Sequence, residues 1–310
     1  MLRRMRLPNP TESERRRIAG GPAYTVLLLA FLLHVSLGSY AQRAYLPLGI
    51  AYGQILFFFG IPWLAVASMG LEPRDFLAFS WPRGWTWPWI VLAAFTGFLL
   101  AGGLNSLNQW MVGPDVARLF DSTRVLRGRP FSEQIGVALG VTLLAPLGEE
   151  VLFRGYLLRV FRARYGATAA LLLTSGIFAA MHLNPASFLA LFALGLLFGL
   201  LRLASGSILP ALVGHGLQNG ITAVAVLAGL SSGVEPEIDP LVALATVAVT
   251  GPIVWLALGM IGRVATPETT EPGLGSGTDP VRVELDRLGS LLWIWIGAAL
   301  VLGALLAILR

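Results

Sequence analysis

The stretch "APLGEEVLFRGYLLRVF", Ala145 to Phe161, sets two adjacent carboxylates and an arginine inside an apolar run. On a helix Glu150 and Arg154, four residues apart, share a face and can pair. Glu149 points about 100° away and is left without that partner. The two carboxylates therefore meet different surroundings, which is what acid–base chemistry requires of a carboxylate couple. The plainer alternative is a structural ion pair with a spare glutamate.

Two further runs carry isolated polar side chains. His182 closes "FAAMH", and the turn before that run falls near Tyr165–Gly166. Counted outward from this turn, Glu149 and His182 lie equally far along an antiparallel hairpin, hence at one depth. His215 and Asn219, in "LVGHGLQNG", are also four apart and point the same way. Glycines 214, 216 and 220 let another backbone approach closely. His34 stands alone in the first apolar run and reads as a core or interfacial histidine.

Two histidines and a carboxylate can hold zinc, or can activate water directly as acid and base. No histidine is followed by glutamate, so the HExxH helix is excluded. There is no GxSxG elbow, and nothing marks Ser175, in "LTSG", as activated. The absence of cysteine removes disulfides, iron–sulfur clusters and thiol nucleophiles. A water-based scheme gives every residue a role. Glu149, helped by His182, takes a proton from water, and the hydroxide attacks a peptide carbonyl. His215 and Asn219 donate to the developing oxyanion, each such donor being worth about 2.7–4 kcal/mol. Glu150 and Arg154 hold their helix in register.

These residues must be positioned by membrane helices. The 310-residue chain is 55% hydrophobic and only 13% charged, against about a quarter charged in soluble domains. Its mean hydropathy of +0.73 points the same way. Apolar runs near 23–41, 45–69, 87–106, 134–153, 167–183, 187–203, 208–230, 240–262 and 289–309 approach the roughly 20 residues that a span requires. They are continuous rather than alternating, so the expected fold is all-α, a polytopic bundle of about eight to nine helices. Within lipid, ionisable side chains are expensive and functional by default.

All 22 basic residues are arginine, and most flank the apolar runs. The basic balance therefore reads as topology and anionic lipid rather than nucleic acid. With the arm holding Arg3, Arg4, Arg6, Arg15, Arg16 and Arg17 cytoplasmic, the acidic loop with Glu235, Glu237 and Asp239 falls outside. Arg118, Arg124, Arg127 and Arg129 oppose this arrangement unless their segment is an amphipathic helix in the interface. "WPRGWTWPW" at 81–89 suits an interfacial belt. The expected divisions are a cytoplasmic arm at 1–22, transmembrane and interfacial segments at 23–129, and a catalytic core at 130–230. A further span at 231–263, a Pro/Gly/Thr-rich linker at 264–287 and a last span at 288–310 follow.

"EEVLFR" at 149–154, "FAAMH" at 178–182 and "HGLQN" at 215–219 resemble the EExxxR, FxxxH and HxxxN motifs, in order and spacing, of one family. It is the CPBP family (CAAX protease and bacteriocin-processing, or Abi), which includes the Rce1-type CAAX prenyl endopeptidases. The resemblance covers about residues 130–230. It implies an intramembrane endopeptidase in a multi-helix bundle in the cell membrane, with a polar cavity open to lipid. By that resemblance Glu149 is the water-activating base beside His182, and His215 and Asn219 stabilise the oxyanion. Glu150, Arg154 and Phe178 support them. No cofactor is favoured, because asparagine is a poor zinc ligand; the zinc alternative uses Glu149, His182 and His215. The partners implied are membrane lipids and a peptide or protein substrate, lipid-modified or plain, and no nucleic acid. Two other readings compete. One is a non-catalytic scaffold or bacteriocin self-immunity protein of the same fold. The other is a proton-coupled transporter using the buried acid and imidazoles as a relay.

Overall fold

A computed structural model describes Arg16 and residues 18–230 and 239–265. Most of these residues are helical, with no strand among them. Eight helices carry the architecture: α1 (Ala23–Ala44), α2 (Leu46–Ser68), α3 (Gly84–Val112), α4 (Phe131–Tyr165), α5 (Ala167–Met181), α6 (Pro185–Ser205), α7 (Leu209–Leu227) and α8 (Pro240–Ala265). By length and composition α1, α2, α3, α4, α6 and α8 can each cross a membrane, and the chain is a polytopic helical membrane protein. α5 is shorter, at 15 residues.

Eight of the nine expected runs thus coincide with helices. The ninth, the linker before it, most of the basic arm, and Glu235 and Glu237 lie outside the described residues. α4 outruns its apolar stretch, continuing through the charged "LRVFRARY" to Tyr165. It ends at Gly166, whose φ of 83° lies in the region that glycine alone adopts freely. This is the turn anticipated between Glu149 and His182.

The arginine-rich stretch after α3 is not one amphipathic helix. It forms two short pieces, Pro114–Leu119 and the 3-10 turn Ser122–Val125. Asp121 caps the second by accepting from the Thr123 amide at 2.9 Å. Its arginines each face a carboxylate, with Arg118 on Asp115, Arg124 and Arg127 on Asp121, and Arg129 on Glu133. Trp81 and Trp85, in the proposed belt, are exposed.

The middle of α4 is the axis of the molecule. Every residue from Val151 to Leu157 is buried, against Phe178 of α5 and Phe198 and Leu201 of α6. α5 packs along α6, α8 along α3, and α7 against α3, α6 and the front of α4, while α2 meets α4 at Ala145–Glu150. Four wide π turns interrupt these helices: His34–Gly38 in α1, Gly53–Gly60 in α2, and Gly140–Leu144 and Val151–Leu157 in α4. Such turns redirect side chains and free backbone groups, and they recur at functional sites. The two in α4 lie either side of Glu149 and Glu150.

Candidate active site

Glu150 and Arg154 pair as their spacing demands. Arg154 Nη1 donates to Glu150 Oε1 at 3.0 Å, with the two side chains 1% and 0% exposed. Its Nη2 donates to the Gly195 carbonyl of α6, also at 3.0 Å. That carbonyl comes within reach because α6 presses close to α5 here: a Cβ on Gly195 would lie 2.9 Å from Ser175 Cα. Three aromatic rings complete the surroundings. The guanidinium carbon sits 4.4 Å from the centroid of Phe178, 5.4 Å from Phe198 and 5.6 Å from Phe153.

Glu150 has a second partner that spacing did not reveal. His215 Nδ1 lies 2.9 Å from the same Oε1. An ionised carboxylate only accepts, so Nδ1 carries the proton. His215 is buried, stacked on Phe198 at 4.8 Å and edge-on to Phe178 at 5.8 Å. Its other nitrogen, Nε2, is 3.9 Å from Glu149 Oε2. A carboxylate that orients one ring nitrogen so that the other faces the working atom is a recurring acid–base device.

Glu149 is held from a direction the sequence reading did not consider. Gln54, buried in α2, donates from Nε2 to Glu149 Oε1 at 3.2 Å. Glu149 Oε2 makes no hydrogen bond among the described residues and is left facing His215. A lone amide within "AYGQILFFFG" was the available signal, since polar side chains in such runs seek partners on other helices.

Asn219 sits one turn beyond His215 on α7. Its Nδ2 donates to the Val141 carbonyl at 2.8 Å, within the wide turn Gly140–Leu144. The amide keeps a second N–H. Gly216 and Gly220 pack onto Thr142, with a Cβ on Gly216 falling 3.0 Å from the Thr142 carbonyl oxygen. His182 caps the C-terminal end of α5 and is exposed. Its Nδ1 is 2.8 Å from the Phe178 carbonyl oxygen, and its ring stands edge-on to Phe178 at 4.7 Å. Phe178 thus touches both imidazoles and the Arg154 guanidinium. Among the described residues no hydrogen bond or ion pair joins His182 to Glu149. Leu183, the next residue, adopts a φ of 50°, a strained setting for a leucine. His34 lies in the wide turn of α1, against Gly53 and 4.7 Å from the Phe58 ring.

Catalytic zinc is held by three protein ligands. Among the described residues no three His, Asp or Glu side chains gather that way, and Glu149 with His215 makes only a pair.

Fold and site together define a class: a polytopic helical membrane protein with a buried Glu–Arg–His cluster and a second carboxylate beside it. Residues 131–221 match the family described as Type II CAAX prenyl endopeptidase Rce1-like, so this stretch is an Rce1-like domain, as the three motifs suggested. It runs from α4 into α7 and includes every motif residue. An "Uncharacterized 24.3 kDa protein" of Escherichia coli is 35% identical over 136 residues. That match spans 41% of this chain and 58% of the relative, so the chain covers little more than half of the relative's length. No solved structure matches the chain significantly.

Proposed function

We propose that the protein is an intramembrane endopeptidase that hydrolyses peptide bonds of membrane-associated or CAAX-like substrates with water activated by Glu149. The Rce1-like domain supports the protease class. The observation that carries the mechanism is the 3.9 Å approach of Glu149 Oε2 to His215 Nε2, with Nδ1 anchored on Glu150.

In this reading Glu149 takes a proton from water through Oε2, and the oxygen attacks the carbonyl carbon. The negative charge that develops on the carbonyl oxygen receives hydrogen bonds from Nε2–H of doubly protonated His215 and from the second N–H of Asn219. Glu149 then passes its proton to the leaving amine nitrogen, and the C–N bond breaks. Glu150 and Arg154 keep His215 aimed, and His182 assists from the exposed end of α5. The N-terminal arm is placed in the cytoplasm and the protein in the cell membrane, following the arginine distribution.

The test is cleavage of lipid-modified and plain peptides by the full chain in liposomes, with and without chelator. Glu149→Ala should lose about 10²–10⁴-fold in rate, and His215→Ala about 10²–10³-fold. Cleavage should persist under chelation. No cleavage by wild type, or full cleavage by Glu149→Ala, sinks the proposal. Cleavage lost on chelation and restored by zinc replaces the mechanism with a metal-dependent one.

A further inference from the structure

We infer that Gln54 is a positioning residue for the catalytic carboxylate, so that the site extends outside the Rce1-like domain into α2. The inference rests on the peptidase reading for its kinetic consequence, but not for its geometry.

Glu149 has two oxygens, and only one is committed. Gln54 Nε2 donates to Oε1 at 3.2 Å, while Oε2 has no hydrogen bond and faces His215 Nε2 at 3.9 Å. A carboxylate turns readily about its last torsion, which is broad and roughly two-fold. The amide of Gln54 removes that freedom and sets which oxygen meets the water.

Everything around Gln54 favours a fixed amide. It is 6% exposed and lies in the wide turn Gly53–Gly60. α2 and α4 meet so closely there that a Cβ on Gly148 would lie 2.6 Å from the Gln54 carbonyl oxygen and 2.6 Å from its Oε1. Glycine at 148 is what lets Gln54 reach Glu149, the next residue. From the far side α1 braces the same turn. His34 lies against Gly53, one residue before Gln54, and against Phe58, four residues after it. Three helices thus close in on the turn that carries Gln54. Its Oε1 has no hydrogen-bond partner among the described residues.

Three variants of the full chain in liposomes test this. Gln54→Leu keeps the volume and loses the donor; Gln54→Glu keeps the shape and replaces the donor with an acceptor. Glu149→Gln identifies, by its loss, the infrared carboxylate stretch of Glu149. With a peptide that wild type cleaves, Gln54→Leu and Gln54→Glu should each lower kcat about 10- to 100-fold, the worth of a hydrogen bond to a charged group. KM should stay within about twofold, because the substrate itself is not touched. Melting temperatures should remain near wild type in Gln54→Leu. Independently of any cleavage, the carboxylate band that Glu149→Gln removes should shift in Gln54→Leu. An unshifted band, or an unchanged kcat, overturns the inference, as does a fall in kcat that only tracks a lost fold. If wild type cleaves nothing, the peptidase reading fails, and the band still decides whether Gln54 holds Glu149.

Discussion

Two carboxylate–arginine pairs with the same four-residue spacing, one at the entrance to α4 and one in its middle, are different objects. At its start, Arg129 and Glu133 approach to 2.6 Å with side chains 35% and 19% exposed. In its middle, Glu150 and Arg154 stand at 3.0 Å with almost no exposure. The shorter contact is the less consequential one. Where water reaches both partners it offers each an alternative, and such pairs are worth about 0.3–0.5 kcal/mol. Where water is absent, neither member can be removed without stranding the other. Burial, not bond length, separates a solvated tether from the frame of a site.

Disrupting the buried pair is the strongest way to test this contrast. Arg154→Ala should cost about 3–5 kcal/mol, read as a large fall in melting temperature and folded yield in detergent, since it strands Glu150 and empties the space beneath three aromatic rings. Glu150→Gln sharpens the contrast by keeping the shape and losing only the charge. It should cost about 1.5–3 kcal/mol, the worth of hydrogen bonds to a charged group, and should slow cleavage because His215 loses its anchor. Arg129→Ala should change the melting temperature hardly at all, by less than about 1 kcal/mol. If Arg129→Ala proved as damaging as Arg154→Ala, burial would not be the deciding variable.

Part of this was legible beforehand. Eight helices fell where the apolar runs placed them, because a run of about 20 apolar residues leaves a chain in lipid little choice. The Glu150–Arg154 pair followed from helical period alone, and the turn expected near Tyr165–Gly166 falls at Gly166. The continuation of α4 to Tyr165 agrees with the turn placed near Tyr165–Gly166, although "LRVFRARY" carries three arginines and lies beyond the apolar run at 134–153. An amphipathic helix was one way to reconcile the arginine segment after α3 with the topology, but its acids and arginines close short local turns instead.

The site divides along the same line. The sequence by itself determined which polar side chains stand among apolar neighbours, and which pairs within one helix share a face. These are properties of composition and of a fixed period, and both act over a few residues. Only the tertiary structure decided that His215 bonds Glu150 across 65 residues of chain, and that Gln54 reaches Glu149 across 95. It alone decided that Asn219 takes a carbonyl presented by a π turn, and that the ring of Phe178 touches both His182 and His215. Such contacts depend on which helices pack side by side and how closely, and small residues such as Gly148 and Gly195 set that approach. No local pattern encodes the distance between two helices. It emerges when buried side chains fill the space between them at near-crystalline density.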